Sequence, residues 1–504
     1  MLCSLAGASS ASAGEVLVLG KDGRVSSRED PSLPRVTMKR PPRRHAAAGR
    51  HPRRHAAVGR HPRRHAAVAT AARKKKHRRT VYGELKRLSR RGAITPEEYT
   101  SYRARLVTVK RRAKHLDGIG KSEMRAVIDN VKDMAARRKL TASRLRPLWL
   151  TLDRNLEWWS TGRSLGSGQR VEFAGSELVW QYYPGQGLQL QMLGNFGKLN
   201  GLWGSHDNAR LEFMLNELLP LAASRGGRGG VAWEYYFNFG GGRPPWVSGL
   251  AEGTAVQALS RAARRLDREA DVLPIAKRAL RIFRVRTPAG VRVREENGDH
   301  YAIYSFAPSL RVLNGFIQSL VGLYDYARLS EDPEGTELFQ AAEPEARRET
   351  PLYDTGAWSL YSRGSSLHES SLSYHDLLQG FLANLCKRTD IAVYCTTAGN
   401  FERYKTVPPQ VTVRHRRLRG GRYGRVRFEL SKISTVTLQI TRGARTVEAR
   451  PFGAVGYGKR TFGWRVPRRA GTYRVLLTAR DLAGNRAFDT TTVRVLKPKK
   501  KKRP

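Results

Sequence analysis

Tyrosines recur between residues 301 and 378 at intervals that core packing does not require. Three segments carry them: Y-A-I-Y-S-F from Tyr301, P-L-Y-D-T-G-A-W-S-L-Y from Pro351, and S-Y-H-D-L-L from Ser373. A phenol near a cation can lose its proton and take it back, so it can serve as an acid or a base. The pattern therefore indicates proton-transfer chemistry, provided that the fold brings these separate segments together.

The segment V-L-N-G-F-I-x-S-L-x-G-L-Y-D from Val312, followed by P-L-Y-D-T-G, resembles the C-terminal catalytic domain of the D-glucuronyl C5-epimerases, in the manner of a bacterial member. The resemblance covers roughly residues 179–385. It implies a carbohydrate epimerase that converts D-glucuronic acid residues to L-iduronic acid. The implied substrate is an acidic polysaccharide of the heparan sulfate or glycosaminoglycan kind.

Epimerisation at C5 removes a proton next to a carboxylate and returns one from the opposite face. Such a site needs a cationic clamp on the carboxylate and two acid–base groups across the sugar. Neither NAD nor a metal is required, so we expect no cofactor. Carried over by motif, the resemblance makes Tyr304, Tyr361 and Tyr374 the catalytic residues. Arg363 is the candidate clamp, and His375 completes the last motif as a substrate-binding residue.

Three more residues are candidates for substrate binding: Asn314 of the L-N-G-F segment, and Glu234 and Trp246 of W-E-Y-Y-F-N-F-G-G-G-R-P-P-W. We expect Glu234, Trp246 and also Glu252 at loop or helix ends that face a cleft. A tryptophan there would stack on a sugar, whereas packing within the glycine- and proline-rich loop is the alternative for Trp246. No metal site is assigned.

The sequence departs from the family pattern at two points. Ala302 and Ile303 stand where acidic residues are expected, and D-L-L follows His375 in place of T-T-H. A missing base could be replaced by one of three neighbours, Asp299, His300 or Tyr301. The departures favour an alternative function, which is non-catalytic binding of acidic glycans in the cell envelope.

Two other chemistries stay open. A hydrolase would need paired carboxylates, such as Glu234 with Asp354 or Glu369, and a β-eliminating lyase would use the same tyrosines. The chain has no G-x-S-x-G, H-E-x-x-H or Walker pattern, so serine-hydrolase, zinc-protease and P-loop functions have no support.

The formal net charge of +49 is concentrated at the two ends of the chain. Residues 1–80 carry 20 Lys and Arg against 4 Asp and Glu, and residues 401–504 carry 28 against 5. A P-R-R-H-A-A repeat in residues 40–68 offers nothing to bury, so we expect residues 14–79 to form a disordered basic arm. The basic arms would bind an anionic cell-surface polymer, and nucleic acid is the disfavoured partner.

Residues 1–13 look like a truncated signal peptide that is cleaved before Gly14, which predicts a secreted or cell-envelope protein. No later segment reaches the ~18 apolar residues that a membrane span needs. Cys386 and Cys395 fit either a disulfide or two free thiols. The sequence does not determine the oligomeric state, and a homodimer is one of the alternatives.

Helical patterns are the elements that must position the tyrosines. They fill residues 80–154 and recur over six later stretches: His206–Ser224, Gly249–Leu266, Ala270–Phe283, Leu310–Leu329, Glu334–Arg348 and Ser371–Lys387. Paired helices favour an α/α toroid around a cleft for residues 155–405. Short alternating runs in residues 408–496 predict about seven strands and an immunoglobulin-like β-sandwich, followed by a basic tail over 497–504. The fold class is therefore multidomain, mainly α and then all-β.

Overall fold

A computed structural model describes residues 14–33, 79–225, 230–364, 368–415 and 417–498. The predicted signal peptide, the P-R-R-H-A-A repeat and the tail beyond residue 498 lie outside the described residues. The helices in the described part are α1 (Val81–Arg90), α2 (Pro96–Lys114), α3 (Gly118–Ala136), α4 (Ala142–Trp159), α5 (Met192–Gly204), α6 (Asn208–Leu218), α7 (Gly249–Arg265), α8 (Glu269–Arg284), α9 (Leu313–Ser330), α10 (Pro333–Glu349), α11 (Leu372–Thr389) and α12 (Ala392–Tyr404).

Short strands accompany the helices, and longer strands follow them. Those among the helices are β1 (Gly14–Leu19), β2 (Val25–Asp30), β3 (Arg170–Phe173), β4 (Trp180–Tyr183), β5 (Gly187–Leu190), β6 (Ala223–Ser224), β7 (Val231–Ala232), β8 (Arg292–Arg294), β9 (Asp299–Tyr301), β10 (Leu310–Arg311), β11 (Leu360–Gly364) and β12 (His368–Glu369). Those after α12 are β13 (Val411–Arg414), β14 (Arg417–Arg419), β15 (Tyr423–Leu430), β16 (Ser434–Arg442), β17 (Arg445–Val455), β18 (Gly458–Arg465), β19 (Gly471–Asp481) and β20 (Arg486–Leu496).

Helices α1 to α4 form a small bundle with its own apolar cluster. Their starts follow the sequence signals, because Thr80 caps α1 and Thr95 caps α2 in a capping box with Glu98. α3 contributes Met124 and Val127 to the buried face. The predicted helical segment over residues 80–154 is present, and α4 continues it to Trp159.

Residues 14–33 correct the sequence analysis, which assigns them to the disordered arm. β1 and β2 form an antiparallel hairpin, and β1 pairs in parallel with β3. The sheet has the order β2-β1-β3-β4-β5. The reason is that β1 is apolar from Val16 to Leu19 and buries these two residues on opposite faces of the strand, a short signal that the arginine-rich composition of the following residues masks.

The predicted helices of the central region are found with shifted ends, and α5 and α12 are additional. α7 and α9 approach each other backbone to backbone, because a Cβ on Gly322 would clash with the carbonyl of Gly253. Ser319 of α9 also donates to the carbonyl of Gly249 at 2.9 Å. This contact fixes α9 directly after the loop that carries Tyr304.

The C-terminal region, residues 408–498, contains two sheets, which we call the two-sheet unit. One sheet has the order β13-β15-β18 and the other β14-β20-β19-β16-β17. The inward side chains of both sheets, such as Val426, Trp464 and Leu438, share one apolar cluster. The all-β region is confirmed, and its strands alternate between buried and exposed residues as predicted.

Cys386 of α11 and Cys395 of α12 form a disulfide, which resolves the choice that the sequence leaves open. The bridge joins the helix that carries Tyr374 to the last helix before the two-sheet unit. Among the described helices, none combines the length and the apolar character that crossing a membrane requires.

Candidate active site

Tyr304, Tyr361 and Tyr374 lie together, although they come from three separate segments. Tyr304 lies in the loop between β9 and β10, Tyr361 in β11, and Tyr374 in the first turn of α11. The Tyr361 phenol is in hydrogen-bonding contact with the phenols of both other tyrosines. The ring centroids of Tyr361 and Tyr374 are 4.7 Å apart. The three residues that the sequence analysis assigns to catalysis therefore form one cluster, which we call the tyrosine cluster.

Backbone pairing and a helix cap explain this convergence. β10 pairs antiparallel with β11, with Arg311 opposite Arg363, so the loop after β9 is held beside Tyr361. The backbone N–H of Tyr374 donates to the Ser371 hydroxyl at 3.3 Å, at the start of α11. Tyr374 stays 44% exposed. The cluster is therefore open to solvent on the side of α11.

Several aromatic side chains pack against Tyr304. Tyr304 stacks on Phe306 at 5.5 Å and meets Trp246 edge-on at 5.8 Å between centroids. Trp246 in turn stacks on Tyr235 at 4.2 Å, and its Nε1 donates to the carbonyl of Phe237 at 2.8 Å. Because Trp246 is buried, both ring faces are occupied by protein. The expectation that it faces the cleft is wrong, and the packing alternative describes it.

Two further phenols, those of Tyr183 in β4 and of Tyr235, lie beside the tyrosine cluster. The sequence analysis does not identify either of them as a site residue. The amide of Gln191 joins them, since it donates to the Tyr183 oxygen at 3.5 Å and accepts from Tyr235 at 3.4 Å. Tyr183 raises the pKa of Tyr304 electrostatically, and Tyr374 raises that of Tyr183. The stretch around Tyr183 gives only the signal of a strand, which does not distinguish a site phenol from a core one.

Burial controls the protonation of the cluster. It raises the pKa of Tyr304 well above that of a free phenol, and neighbouring phenols raise it further. Burial also raises the pKa of Tyr361, whereas the hydrogen bond from Tyr304 lowers it. Arg170 of β3 lowers the pKa of Tyr183, and its own pKa falls to about 10 through burial. At neutral pH, Tyr304, Tyr361 and Tyr183 are therefore neutral phenols, and Arg170 beside Tyr183 is a buried, charged guanidinium.

Arg363 and Asn314 lie near the cluster in sequence but have other neighbours. The Arg363 guanidinium lies over the ring of Tyr353, 6.0 Å from its centroid. Arg363 and Tyr361 nevertheless share the less buried face of β11. Asn314 is buried at the start of α9, and its Oδ1 has no hydrogen-bond partner among the described residues. The substrate-binding roles of both residues stay predictions.

His375 is a buried structural residue in this conformation, which corrects the expectation that it contacts substrate. Its ring stacks on Trp358 at 3.8 Å between centroids. Nδ1 lies 2.7 Å from the Ser359 hydroxyl, and Nε2 lies 2.8 Å from the carbonyl of Phe401. Burial lowers the His375 pKa to about 4, so the imidazole is neutral. It then donates from Nε2 and accepts at Nδ1, and it holds α11 rather than a ligand.

Glu234 is fully buried and faces two arginines, so the expectation that it faces the cleft is wrong. Its carboxylate accepts from Arg144 Nε and Nη2 at 2.6 and 2.8 Å. Arg225 also pairs with it. Glu252 of α7 is buried nearby, accepts from the backbone N–H of Trp233 at 2.9 Å, and has its pKa raised to about 8 by burial. Two arginine side chains therefore face the Glu234 carboxylate, whereas the Glu252 carboxyl group is mostly protonated and uncharged at neutral pH.

The three neighbours that could replace a missing base do not reach the tyrosine cluster. Asp299 pairs with Arg292 at 2.8 Å. His300 contacts the Glu349 carboxylate at 2.9 Å through Nδ1. The Tyr301 hydroxyl donates to the carbonyl of Leu338 at 2.7 Å. Each side chain is buried in its own contacts. The proton-transfer groups that the described site offers are therefore the phenols themselves.

Glu369 of β12 joins the site to the two-sheet unit. Its two carboxylate oxygens accept from the backbone N–H groups of Ile433 at 2.6 Å and Tyr457 at 2.7 Å. Leu360, the residue before Tyr361, is opposite Glu369 in the β11–β12 pair. Glu369, Glu234 and Asp354 thus belong to separate hydrogen-bond networks. They do not form the facing pair of carboxylates that a glycoside hydrolase needs.

One comparison with known proteins covers the part of the chain that contains the tyrosine cluster. Residues 228–403 match the family described as D-glucuronyl C5-epimerase C-terminus. The chain is also similar to a D-glucuronyl C5-epimerase of Caenorhabditis elegans, with 33% identity over 131 residues, which are 23% of this chain and 21% of the relative. The chain therefore matches about a fifth of the length of that curated relative.

A solved endo-beta-1,4-glucanase from Acetobacter xylinum is similar over 41% of this chain and 67% of its own, with a TM-score of 0.30 and 11% identity. The family match rests on residues 228–403, and that stretch contains all three tyrosines of the cluster. Through these residues, the chain is similar to the D-glucuronyl C5-epimerases.

Proposed function

We propose that the protein epimerises D-glucuronic acid residues of an acidic polysaccharide to L-iduronic acid at C5. The observation that carries the proposal is the contact of the Tyr361 phenol with those of Tyr304 and Tyr374. Proton abstraction next to a carboxylate and return from the other face need two acid–base groups that can exchange protons. A hydrogen-bonded set of phenols supplies such groups.

In the proposed reaction, a phenolate on one face takes the C5 proton, and the electron pair of the C–H bond moves into the carboxylate. A phenol on the other face then gives its proton to C5, which inverts the centre. One proton enters the enzyme and one leaves it. Because the Tyr361 phenol is within hydrogen-bonding reach of both neighbours, a proton can pass from Tyr304 to Tyr374 or back, which restores the starting state.

The phenolate requires a positive charge, because burial raises the pKa of both Tyr304 and Tyr361. We assign the clamp to Arg363, which shares a strand face with Tyr361 and has no carboxylate partner among the described residues. A guanidinium forms two parallel hydrogen bonds with a carboxylate, so it both holds the uronate and offsets charge that develops there.

We also propose that the central helices form an α/α toroid around the cluster and that the two-sheet unit is immunoglobulin-like. The paired central helices and the two packed sheets support these assignments. A secreted or cell-envelope location, with the basic ends on an anionic cell-surface polymer, fits such a substrate and stays part of the proposal.

The test is hydrogen–deuterium exchange at C5 in D₂O, with the full chain, heparosan and chondroitin, read by NMR. We expect deuterium at C5 together with iduronate signals. Tyr361→Phe should lower the exchange rate by about 10²- to 10⁴-fold, the usual contribution of an acid–base group. Tyr353→Phe is the matched control, since its buried hydroxyl makes no hydrogen bond among the described residues.

Two outcomes would contradict the proposal. If Tyr361→Phe exchanges the C5 proton at the rate of the control, Tyr361 does not relay protons between the other two tyrosines. Tight binding of the polymers without exchange in the unaltered protein would favour a glycan-binding protein without catalysis.

A further inference from the structure

The outer face of the β13-β15-β18 sheet, which we call the cationic face, carries more positive charge than its strands need. β15 places Arg425 and Arg427 outward, in alternation with buried Val426 and Phe428. Arg414 lies on the neighbouring strand β13, directly opposite Arg427. The exposed cations of this face are Arg414, Arg425, Arg427, Lys459 and Arg465. Glu429, opposite Lys459 at one end, is the acidic residue among the described outward positions of the sheet.

These cations are not neutralised within the described part of the chain. None of the five lies within ion-pair distance of a carboxylate there, whereas other exposed arginines do, such as Arg243 with Asp133. The opposition of Arg414 and Arg427 is itself unfavourable, because like charges directly across two strands destabilise a sheet. Such a pair is tolerated most easily where an anion binds between the two side chains.

An aromatic ring lies flat among the cations. Tyr423 of β15 is 69% exposed, and its ring extends over Gly463 of β18, where a Cβ would clash with the phenol. Arg465 is opposite Tyr423 in the register, and Arg425 is opposite Gly463. Glycine at 463 therefore leaves room for a ring that offers its outer side to solvent. An exposed aromatic side chain of this kind has an apolar face and a polar tip.

One end of the cationic face is joined by hydrogen bonds to the hairpin that carries Tyr361. β18 follows Tyr457, whose N–H donates to Glu369, and Glu369 is opposite Leu360, next to Tyr361. The strand that carries Lys459 and Arg465 thus begins at the hairpin that carries Tyr361.

We propose that the cationic face is a second binding surface for an acidic polysaccharide, with Arg425 and Arg427 on its carboxylates and Tyr423 against a sugar ring. The identity of the polymer rests on the proposed function. Chain segments outside the reacting residue are bound here, so the face raises affinity for long polymers and leaves the chemistry at Tyr361 unchanged.

The test uses the full chain, with Kd for immobilised heparosan measured at several NaCl concentrations. Arg425→Ala with Arg427→Ala should weaken binding roughly tenfold, the loss expected of two exposed charge contacts. The slope of log Kd against log salt should fall by roughly one for each lost contact, as it does for other polyanions. The matched control is Arg468→Ala with Arg474→Ala, two exposed arginines outside the cationic face and not opposite another arginine, where we expect less than a roughly twofold change.

Tyr423→Ala separates sugar recognition from charge. It should weaken binding of heparosan several-fold and leave binding of poly-L-glutamate unchanged, because the latter offers carboxylates without sugar rings. Equal losses for both polymers would overturn the role of the ring. Equal losses of heparosan affinity from the two double-arginine variants would overturn the proposal that the cationic face is a dedicated binding surface. Duplex DNA that displaces heparosan at lower concentration, through the same arginines, would assign the face to nucleic acid.

C5 exchange on a short uronate oligosaccharide distinguishes this inference from the proposed function. If both hold, the Arg425/Arg427 variant keeps its kcat on the oligosaccharide and shows a roughly tenfold higher KM on the polymer, in line with the loss of binding. If the unaltered protein shows no exchange but the variant still loses polymer binding, the epimerase proposal fails and the binding face stands.

Discussion

The centre of the molecule and the two-sheet unit treat charge in opposite ways. In the centre, charged groups are buried in pairs, as Glu234 is with Arg144 and Arg225. In the two-sheet unit, four pairs of arginines stand directly opposite each other across the described strands: Arg414–Arg427, Arg417–Arg494, Arg442–Arg445 and Arg480–Arg486. The buried pairs of the centre therefore serve the fold, whereas these opposed arginines have no carboxylate opposite them across the strands.

The largest effect on stability should come from breaking a central pair. Glu234→Ala leaves Arg144 and Arg225 buried without their carboxylate, and removing one partner of a buried pair typically costs about 3–5 kcal/mol. Urea unfolding measures this loss. Asp153→Ala is the control, because it breaks a pair with Arg105 that is about 40% exposed and should cost about 1 kcal/mol or less. Equal costs for the two variants would show that burial does not set the value of the pair.

Glu252 gives the centre a dependence on pH. Its pKa is about 8 in the folded protein, above that of an unfolded carboxyl, so unfolding releases a proton between about pH 4.5 and 8. Stability contributed by the neutral form is complete below pH 4.5 and is lost as the pH rises. Between pH 5.5 and 7.5 the free energy of unfolding should fall by about 2–3 kcal/mol from this group, at ~1.4 kcal/mol per pH unit.

Glu252→Gln should remove that fall, because the amide does not titrate. Urea unfolding of both proteins at pH 5.5 and 7.5 measures the difference. Glu234→Gln serves as the comparison, since it should lower stability at both pH values. A Glu252→Gln variant with the same slope as the unaltered protein would assign the pH dependence to another group.

The boundary between the two regions depends on Glu369, whose carboxylate holds two backbone N–H groups of the two-sheet unit. Glu369→Ala leaves these donors without their acceptor, which should cost about 2 kcal/mol of stability. It should also lower kcat more than it raises KM, because β11 then holds Tyr361 less firmly. Glu369→Gln keeps one acceptor oxygen and should recover part of kcat. A variant that loses stability but keeps kcat would make Glu369 purely structural.

The sequence predicts best what depends on local pattern. Capping residues such as Thr95, the alternation along β15 and the tyrosine motifs are all read within about twenty residues. β1 is missed because its partner β3 lies some 150 residues away, and a repeat rich in arginine follows it. α5 is missed because the glycines in N-F-G-K-L-N-G suggest a loop, although Gly201 packs closely against Ser32 and Gly197 lies in open space on the helix surface.

The site shows the same division. The positions of Tyr304, Tyr361 and Tyr374 follow from the motifs, but their common neighbours Tyr183 and Tyr235 come from segments without one. His375 and Glu234 have the residue types of ligand-binding groups, yet their partners, Phe401 and Arg144, lie far away in sequence. Such distant partners decide whether a polar side chain faces the cleft or the protein interior. Residue type and spacing alone therefore do not assign it.

The smallest expected effect is the most specific to the two-sheet unit. Arg427→Thr removes one member of the opposed Arg414–Arg427 pair and introduces a residue that favours strands. Its free energy of unfolding should rise by about 0.2–1 kcal/mol, because like charges across strands cost about that much. Arg425→Thr is the matched control on the same strand, since it is opposite Gly463 rather than a cation, and its stability should not change. Both variants should bind heparosan more weakly. A residue that weakens the fold and strengthens binding is expected only where an anion from outside the chain binds to the surface. A loss of stability in Arg427→Thr would therefore contradict the distinction between the two regions.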